Sequence, residues 1–185
     1  MNLVGTGLQF QVLLGREQIA ARVAELAAQI SADFRGKELL LLPVLKGAKV
    51  FATDLAQQLT IPSQTDYIGV SSYGGGTSTN RSPRLTQDSS LSVTGRNVLI
   101  VEDILDSGYT LNFLIDLMRR RQPRELKVVT LLDKPSNRIV PFTADYVGFS
   151  IADEFVIGYG LDFNEQYREL PEIYILPPAH ASSEQ

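Results

Sequence analysis

Cysteine is missing from all 185 residues, and histidine occurs once, at His180. The first absence rules out a disulfide framework and thiolate metal sites and leaves a reducing compartment open. The second rules out ordinary histidine-based triads and the zinc-binding His-Glu-x-x-His pattern. No apolar run is long enough to span a bilayer, and residues 1–14 lack the basic opening of a secretory signal, so a soluble, cytoplasmic protein is expected. A surplus of cations is also wanting. Seventeen Lys and Arg against 21 Asp and Glu give a formal net charge of −4 and a pI near 5.0, which argues against a chain that tracks a nucleic-acid backbone. Neither a nucleic acid nor a membrane is expected as partner. The Gly-x4-Gly-Lys-Ser/Thr phosphate loop and the Gly-x-Ser-x-Gly nucleophile elbow are absent too.

What is present suits one well-filled core, with 44% of residues hydrophobic. Ile19, Val23, Leu26, Ile30 and Phe34 recur at helical spacing among polar residues, marking an amphipathic helix over 16–34. Leu39, Leu40, Leu41 and Leu42 with Val44 and Leu45 form a short apolar run suited to a strand covered on both faces, and 48–59 reads as the next helix. The alternation returns with a buried strand over 97–101, a helix carrying Leu111, Leu114, Ile115 and Met118, and a strand over 126–132. Strands interleaved with helices predict an α/β core with a mainly parallel sheet. Beyond residue 137 the apolar pieces shorten, at 146–149, 155–159 and 173–176, as expected of a small accessory lobe. Residues 71–92, rich in Gly, Ser and Thr, are too long for an ordinary connection and predict a mobile functional loop. The polar tail 179–185 is expected to fray. Three arginines, Arg119, Arg120 and Arg121, read as a helix end whose cations complement the macrodipole.

Chemistry gathers in residues 98–110, where Glu102, Asp103 and Asp106 precede Ser107, Gly108, Tyr109 and Thr110 between a strand and a helix. Ligands of open α/β sheets bind at such strand ends. The free amides of a helix start, two hydroxyls and the positive helix end suit a phosphate, and the carboxylates beside them suit ribose hydroxyls or a hydrated magnesium ion. The plainer reading, an N-cap and a solvated acidic turn, leaves this combination unexplained. Leu45, Lys46 and Gly47 form a second strand-to-helix turn whose amides can face an anion. Lys134 closes a third strand, and taken alone it reads equally well as an exposed cation. A fourth segment, residues 153–168, carries Phe155, Val156, Asp162 and Arg168, and its bland reading is a core strand and a turn.

Residues 98–110 closely resemble the phosphoribosyl-pyrophosphate signature of the type I phosphoribosyltransferases, and the other segments follow in that family's order over roughly 39–176. The resemblance implies that family's fold: a central, mainly parallel sheet flanked by helices, spanning 1–185 as a single domain, with a core at about 36–140 and a hood from the N-terminal segment and about 141–178. It implies phosphoribosyl 5′-phosphate and ribose binding by Glu102, Asp103, Asp106, Ser107, Gly108, Tyr109 and Thr110, with Asp106 as catalytic base. Leu45, Lys46, Gly47 and Arg168 would meet pyrophosphate, with a cis peptide between Leu45 and Lys46. Ala48 stands where a second glycine is common. Lys134 would donate to the O6 of a 6-oxopurine, Phe155 would stack on the base, and Val156 and Asp162 would complete that pocket. Mg²⁺ would be held by Asp162, Glu102 and Asp103, and Ser72 and Tyr73 would belong to a flexible lid. The implied activity is transfer of a phosphoribosyl group from phosphoribosyl pyrophosphate to hypoxanthine or guanine, by a homodimer or homotetramer. An alternative from another class is a regulatory protein that senses phosphoribosyl pyrophosphate and binds nucleic acid.

Overall fold

The computed structural model describes residues 10–72 and 83–177. Tyr73, the middle of the expected lid, and the tail with His180 lie outside the described residues. Strand β1 (Gln11–Leu14) leads into helix α1 (Arg16–Asp33), whose Ile19, Val23, Leu26, Ala27 and Ile30 are buried at intervals of three and four. Strand β2 (Leu39–Leu45) is apolar throughout because it is central, buried on both sides. Helix α2 (Lys49–Gln58) follows, then β3 (Ser63–Thr65), β4 (Ile68–Ser72) and β5 (Pro83–Gln87). Next come β6 (Asn97–Leu105), α3 (Tyr109–Arg120), β7 (Glu125–Asp133) and β8 (Tyr146–Ser150), and finally the short strands β9 (Val156–Ile157) and β10 (Ile173–Ile175).

The main sheet has the order β5-β4-β2-β6-β7-β8, with β3 beside the first half of β2. Strands β4, β2, β6, β7 and β8 run parallel, and only β5 is antiparallel to its neighbour. Side chains alternate across it. Leu39, Leu41, Leu99, Val101 and Val129 pack under α1 and α2, and Leu40, Leu42, Val98, Ile100 and Val128 pack against α3. Removing one such leucine side chain costs about 2–5 kcal/mol, so this double-sided core holds the strand ends that carry the site in fixed relation. Strands β1, β10 and β9 form a separate antiparallel sheet over a small cluster of Phe10, Ile157, Tyr174 and Leu176.

Several expectations need correction. Strand β6 does not stop at Val101. It stays in register with β7 through Leu105, pairing Glu102 with Thr130 and Leu105 with Asp133, because parallel pairing continues where the apolar pattern ends. Residues 71–92 are not one open connection: β5 pairs with β4, and the Asp66 carboxylate accepts from the Leu91 amide and the Ser89 and Ser90 hydroxyls. Residues 146–150, expected in the accessory lobe, form the outer parallel strand β8 of the main sheet. Helix α1, though N-terminal, packs on the core. Arg121 does more than complement the dipole, since its guanidinium grips both Asp88 oxygens at 2.7 and 2.8 Å. No helix among the described residues is long and apolar enough to cross a membrane.

Candidate functional site

The C-terminal ends of β2, β6 and β7 lie side by side, so the turns that follow them face one region. After β6 the chain passes exposed Asp106 and part-buried Ser107 to Gly108 at φ 89°, and α3 begins at Tyr109. A Cβ at Gly108 would run into the Val140 carbonyl, so glycine is required for both conformation and space. The first helical hydrogen bond is Asn112 N–H to the Gly108 carbonyl, leaving the preceding amides without helical acceptors. A helix start of this kind can take an anion, and the hydroxyl residues Ser107 and Thr110 lie in its turn.

Glu102 is 6% exposed, and its Oε2 has no hydrogen-bond partner. Burial, reinforced by the neighbouring Asp103 carboxylate, pushes the Glu102 carboxyl well above the usual range. Burial also raises Asp103, against donation from the Ile104 amide at 2.8 Å and the attraction of Arg168. Two acidic side chains raised by burial, one with an orphan oxygen, suit a hard cation. Among the described residues no three His, Cys, Asp or Glu gather as a metal cage. The pair therefore fits magnesium in the mode where water and substrate oxygens supply most of the ligands.

At the end of β2 the Leu45–Lys46 peptide is cis. Gly47 packs so closely on Asp103 that a Cβ would collide with the carboxylate, which joins this turn to the acidic pair. Ala48 sits at φ −70°, ψ −5°, an ordinary helical conformation, so no second glycine is needed there. The hood meets the turn from the other side. Gly160, at φ 100°, presses on the Gly47 carbonyl, and Arg168 donates to the Gly160 carbonyl at 2.8 Å and to Asp162 at 2.7 Å. The second Asp162 oxygen accepts from the Glu165 amide at 2.9 Å. A cavity of about 650 Å³ beside the cis peptide is lined by Lys46, Lys49, Asp54 and Arg168 among others.

Lys134 is buried at 7% exposure, not displayed to solvent, and its ammonium lies 3.9 Å from Asp153. Phe155 is 43% exposed, its ring edge-on to Phe163 at 5.7 Å, so an apolar surface stands open near the site. Its carbonyl is engaged by the Leu176 amide, and Val156 is buried in β9. A second cavity, about 370 Å³, is lined by Asp106, Ser107, Asn137, Arg138 and Asp153. Ser72 ends β4 as the last residue before the undescribed stretch, and Tyr73 lies outside the described residues.

The phosphoribosyl transferase domain model matches residues 13–164, most of the chain. The chain belongs to the phosphoribosyltransferase family. This phosphoribosyltransferase is 44% identical to the hypoxanthine-guanine phosphoribosyltransferase of Bacillus subtilis over 91% of its own length and 94% of the relative's. It is 46% identical to the bifunctional protein TilS/HprT of Listeria innocua over 91% of its length, but spans only 26% of that longer protein. Among solved structures it resembles a hypoxanthine-guanine phosphoribosyltransferase of Bacillus anthracis with a HEPES molecule in the active site. The TM-score is 0.86 at 47% identity, covering 90% of this chain and 98% of that one.

Three residues of the phosphoribosyltransferase that sequence patterns did not single out touch this region. Glu165 bridges Lys46 at 2.8 Å and Arg168 at 3.3 Å, so its carboxylate joins the two cations expected to meet pyrophosphate. Lys46, through that contact, holds the Glu165 carboxyl below its usual range. Asp153 faces Lys134 and accepts from Asn137 at 2.6 Å. Arg138 sits behind the β6–α3 turn. Long-range folding brings Glu165 to Lys46, Asp153 to Lys134 and Arg138 to the β6–α3 turn, and no local motif marks them.

Proposed function

We propose that the chain is a purine-salvage enzyme that moves the phosphoribosyl group of phosphoribosyl pyrophosphate to N9 of hypoxanthine or guanine. The products are inosine or guanosine monophosphate and pyrophosphate. The observation that carries this reading is the end of β6 and the turn after it, where an acidic pair, Asp106 and a helix start suited to an anion follow one another within nine residues. The relatives named above are transferases or contain one, so the regulatory alternative has no comparable support.

In this reading the amides and hydroxyls of 107–110 bind the 5′-phosphate, and Glu102 and Asp103 face the ribose hydroxyls. Lys46, the 45–47 backbone and Arg168 take the pyrophosphate, for which the guanidinium offers a bidentate partner. Its present partners, Asp162 and Glu165, would exchange with the incoming anion. Lys134 donates to the purine O6, and a 6-aminopurine such as adenine has no oxygen at that position to accept it. Phe155 offers its exposed ring to the base, with Val156 and Asp162 at the base edge. Asp106 accepts the N7 proton as N9 attacks C1′. Mg²⁺ would be held by the Glu102–Asp103 pair or by Asp162, with water and substrate oxygens as its other ligands, and would neutralise leaving-group charge when bound. Ser72 and Tyr73 are assigned to a lid that keeps water from the reacting centre. A single catalytic domain over 1–185, in a cytoplasmic homodimer or homotetramer, completes the reading.

The test is an assay of pyrophosphate release with phosphoribosyl pyrophosphate, Mg²⁺ and each nucleobase in turn, with size-exclusion chromatography for the assembly. Release with hypoxanthine or guanine, and none with adenine, is expected. Equal turnover of adenine would overturn the role given to Lys134.

A further inference from the structure

We propose that Arg138 is the positioning residue of the phosphate turn: it holds the Leu105 and Asp106 carbonyls on the side where the Ile139 and Val140 amides hold that of Ser107, so that the amides of residues 106–108 face the 5′-phosphate. This rests on the site reading above and adds a residue which that reading does not contain.

Three successive carbonyls at the end of β6 are all engaged from the same segment, residues 134–140. Leu105 O accepts from the Lys134 amide at 2.9 Å and from Arg138 Nη1 at 3.1 Å. Asp106 O accepts from the same Nη1, in a short contact. Ser107 O accepts from the Ile139 and Val140 amides at 3.0 and 2.9 Å. In a planar trans peptide the C=O and the next N–H point in opposite directions. Carbonyls gathered toward 134–140 therefore turn the N–H groups of Asp106, Ser107 and Gly108 the other way, in line with the free amides that open α3. Consecutive amides on one side of a turn form an anion-binding concavity.

Of these anchors, only Arg138 holds the Asp106 carbonyl, the middle peptide of the three. Its fork is also fixed from behind. Nη2 pairs with Asp133 Oδ1, Nε donates to the Phe142 carbonyl at 3.2 Å, and the side chain is 13% exposed. Asp133 neutralises the guanidinium, so its effect on a phosphate is through the backbone rather than through its own charge. Gly108 packs on it as well, since a Cβ there would lie 3.2 Å from Arg138 Cδ. A planar group with five fixed donors can serve these separate acceptors at once, whereas a lysine ammonium reaches fewer of them.

The experiment compares the unvaried protein with Arg138→Met and Arg138→Lys, measuring KM for phosphoribosyl pyrophosphate and for hypoxanthine, and the affinities for inosine monophosphate and inosine by calorimetry. If the unvaried protein binds the two no differently, the phosphate site itself is wrong, independently of Arg138. If it prefers the monophosphate, Arg138→Met should raise KM for phosphoribosyl pyrophosphate about tenfold or more, and cut the monophosphate preference by a like factor. KM for hypoxanthine should stay within about threefold, and Arg138→Lys should show the same split at roughly half its logarithmic size. Should Arg138→Met fail to fold, Arg138→Lys decides by the same ratio. A folded variant with unchanged KM for phosphoribosyl pyrophosphate, or one in which monophosphate and nucleoside affinities fall equally, overturns the proposal.

Discussion

Single side chains in this site have distinct consequences. Asp106 is exposed on its turn, so Asp106→Asn should leave the melting temperature unchanged while lowering kcat by about 10²–10⁴-fold, as loss of a general base does. A variant with near-normal turnover would remove Asp106 from the chemistry. Glu102 behaves in the opposite sense. Its carboxyl is raised by burial and by Asp103, so its folded pKa exceeds the unfolded one. The stability linked to it is complete below the ordinary carboxylate pKa of about 4.3 and is lost as pH rises through the folded value. Glu102→Gln should therefore raise the melting temperature of the ligand-free protein at neutral pH, by less as pH falls toward 4, while weakening phosphoribosyl pyrophosphate binding. A thermal scan across pH reads the first effect, and a gain that does not change with pH would contradict the titration argument.

At the scale of elements, the β4–β5 hairpin is tied down at its base. Burial pushes Asp66 up, but donations from Ser89, Leu91, Tyr67 and Ser90 outweigh it and leave the carboxyl well below its usual range. A carboxylate depressed on folding adds stability that is present above its unfolded pKa and disappears as pH falls through the folded one. Asp66→Asn should cost about 1–2 kcal/mol at neutral pH, measured by urea unfolding, with the difference shrinking below about pH 4. Much of the element list was legible in advance: α1 and α3 by helical periodicity, β2 and β7 as short apolar runs, because packing in a two-sided core demands both patterns. The last four residues of β6 did not, since Glu102 and Asp103 look like a turn and are strand only through pairing with β7. Strand β3 is polar and exposed throughout, and β5 sends only Leu85 against the core, too little for periodicity to detect. The site divides the same way. Local motifs exposed the turns after β2 and β6, whereas Arg138 and Glu165 act on partners 32 and 119 residues away.

For the molecule as a whole, two contacts join the hood to the core beside the Lys46–Glu165 ion pair and the apolar packing of Val156, Leu161 and Ile173. Tyr159 donates to Asp54 of α2 at 2.6 Å, and burial, that bond and the Asp54 charge push the phenol far up. Tyr159→Phe should cost about 1 kcal/mol in global stability, seen as a lowered unfolding midpoint, with little change in kcat. The other contact is backbone on backbone, Gly160 against the Gly47 carbonyl. Gly160→Ala combines a disfavoured φ with a collision, and should raise KM for phosphoribosyl pyrophosphate about tenfold or more while circular dichroism stays unchanged. Because neither glycine has a side chain to trim, enlarge or recharge, this joint offers evolution no graded adjustment. In the proposed reaction, drift in the grip on the leaving group would come from the periphery, where Lys46 and Glu165 can be exchanged without prising the two backbones apart.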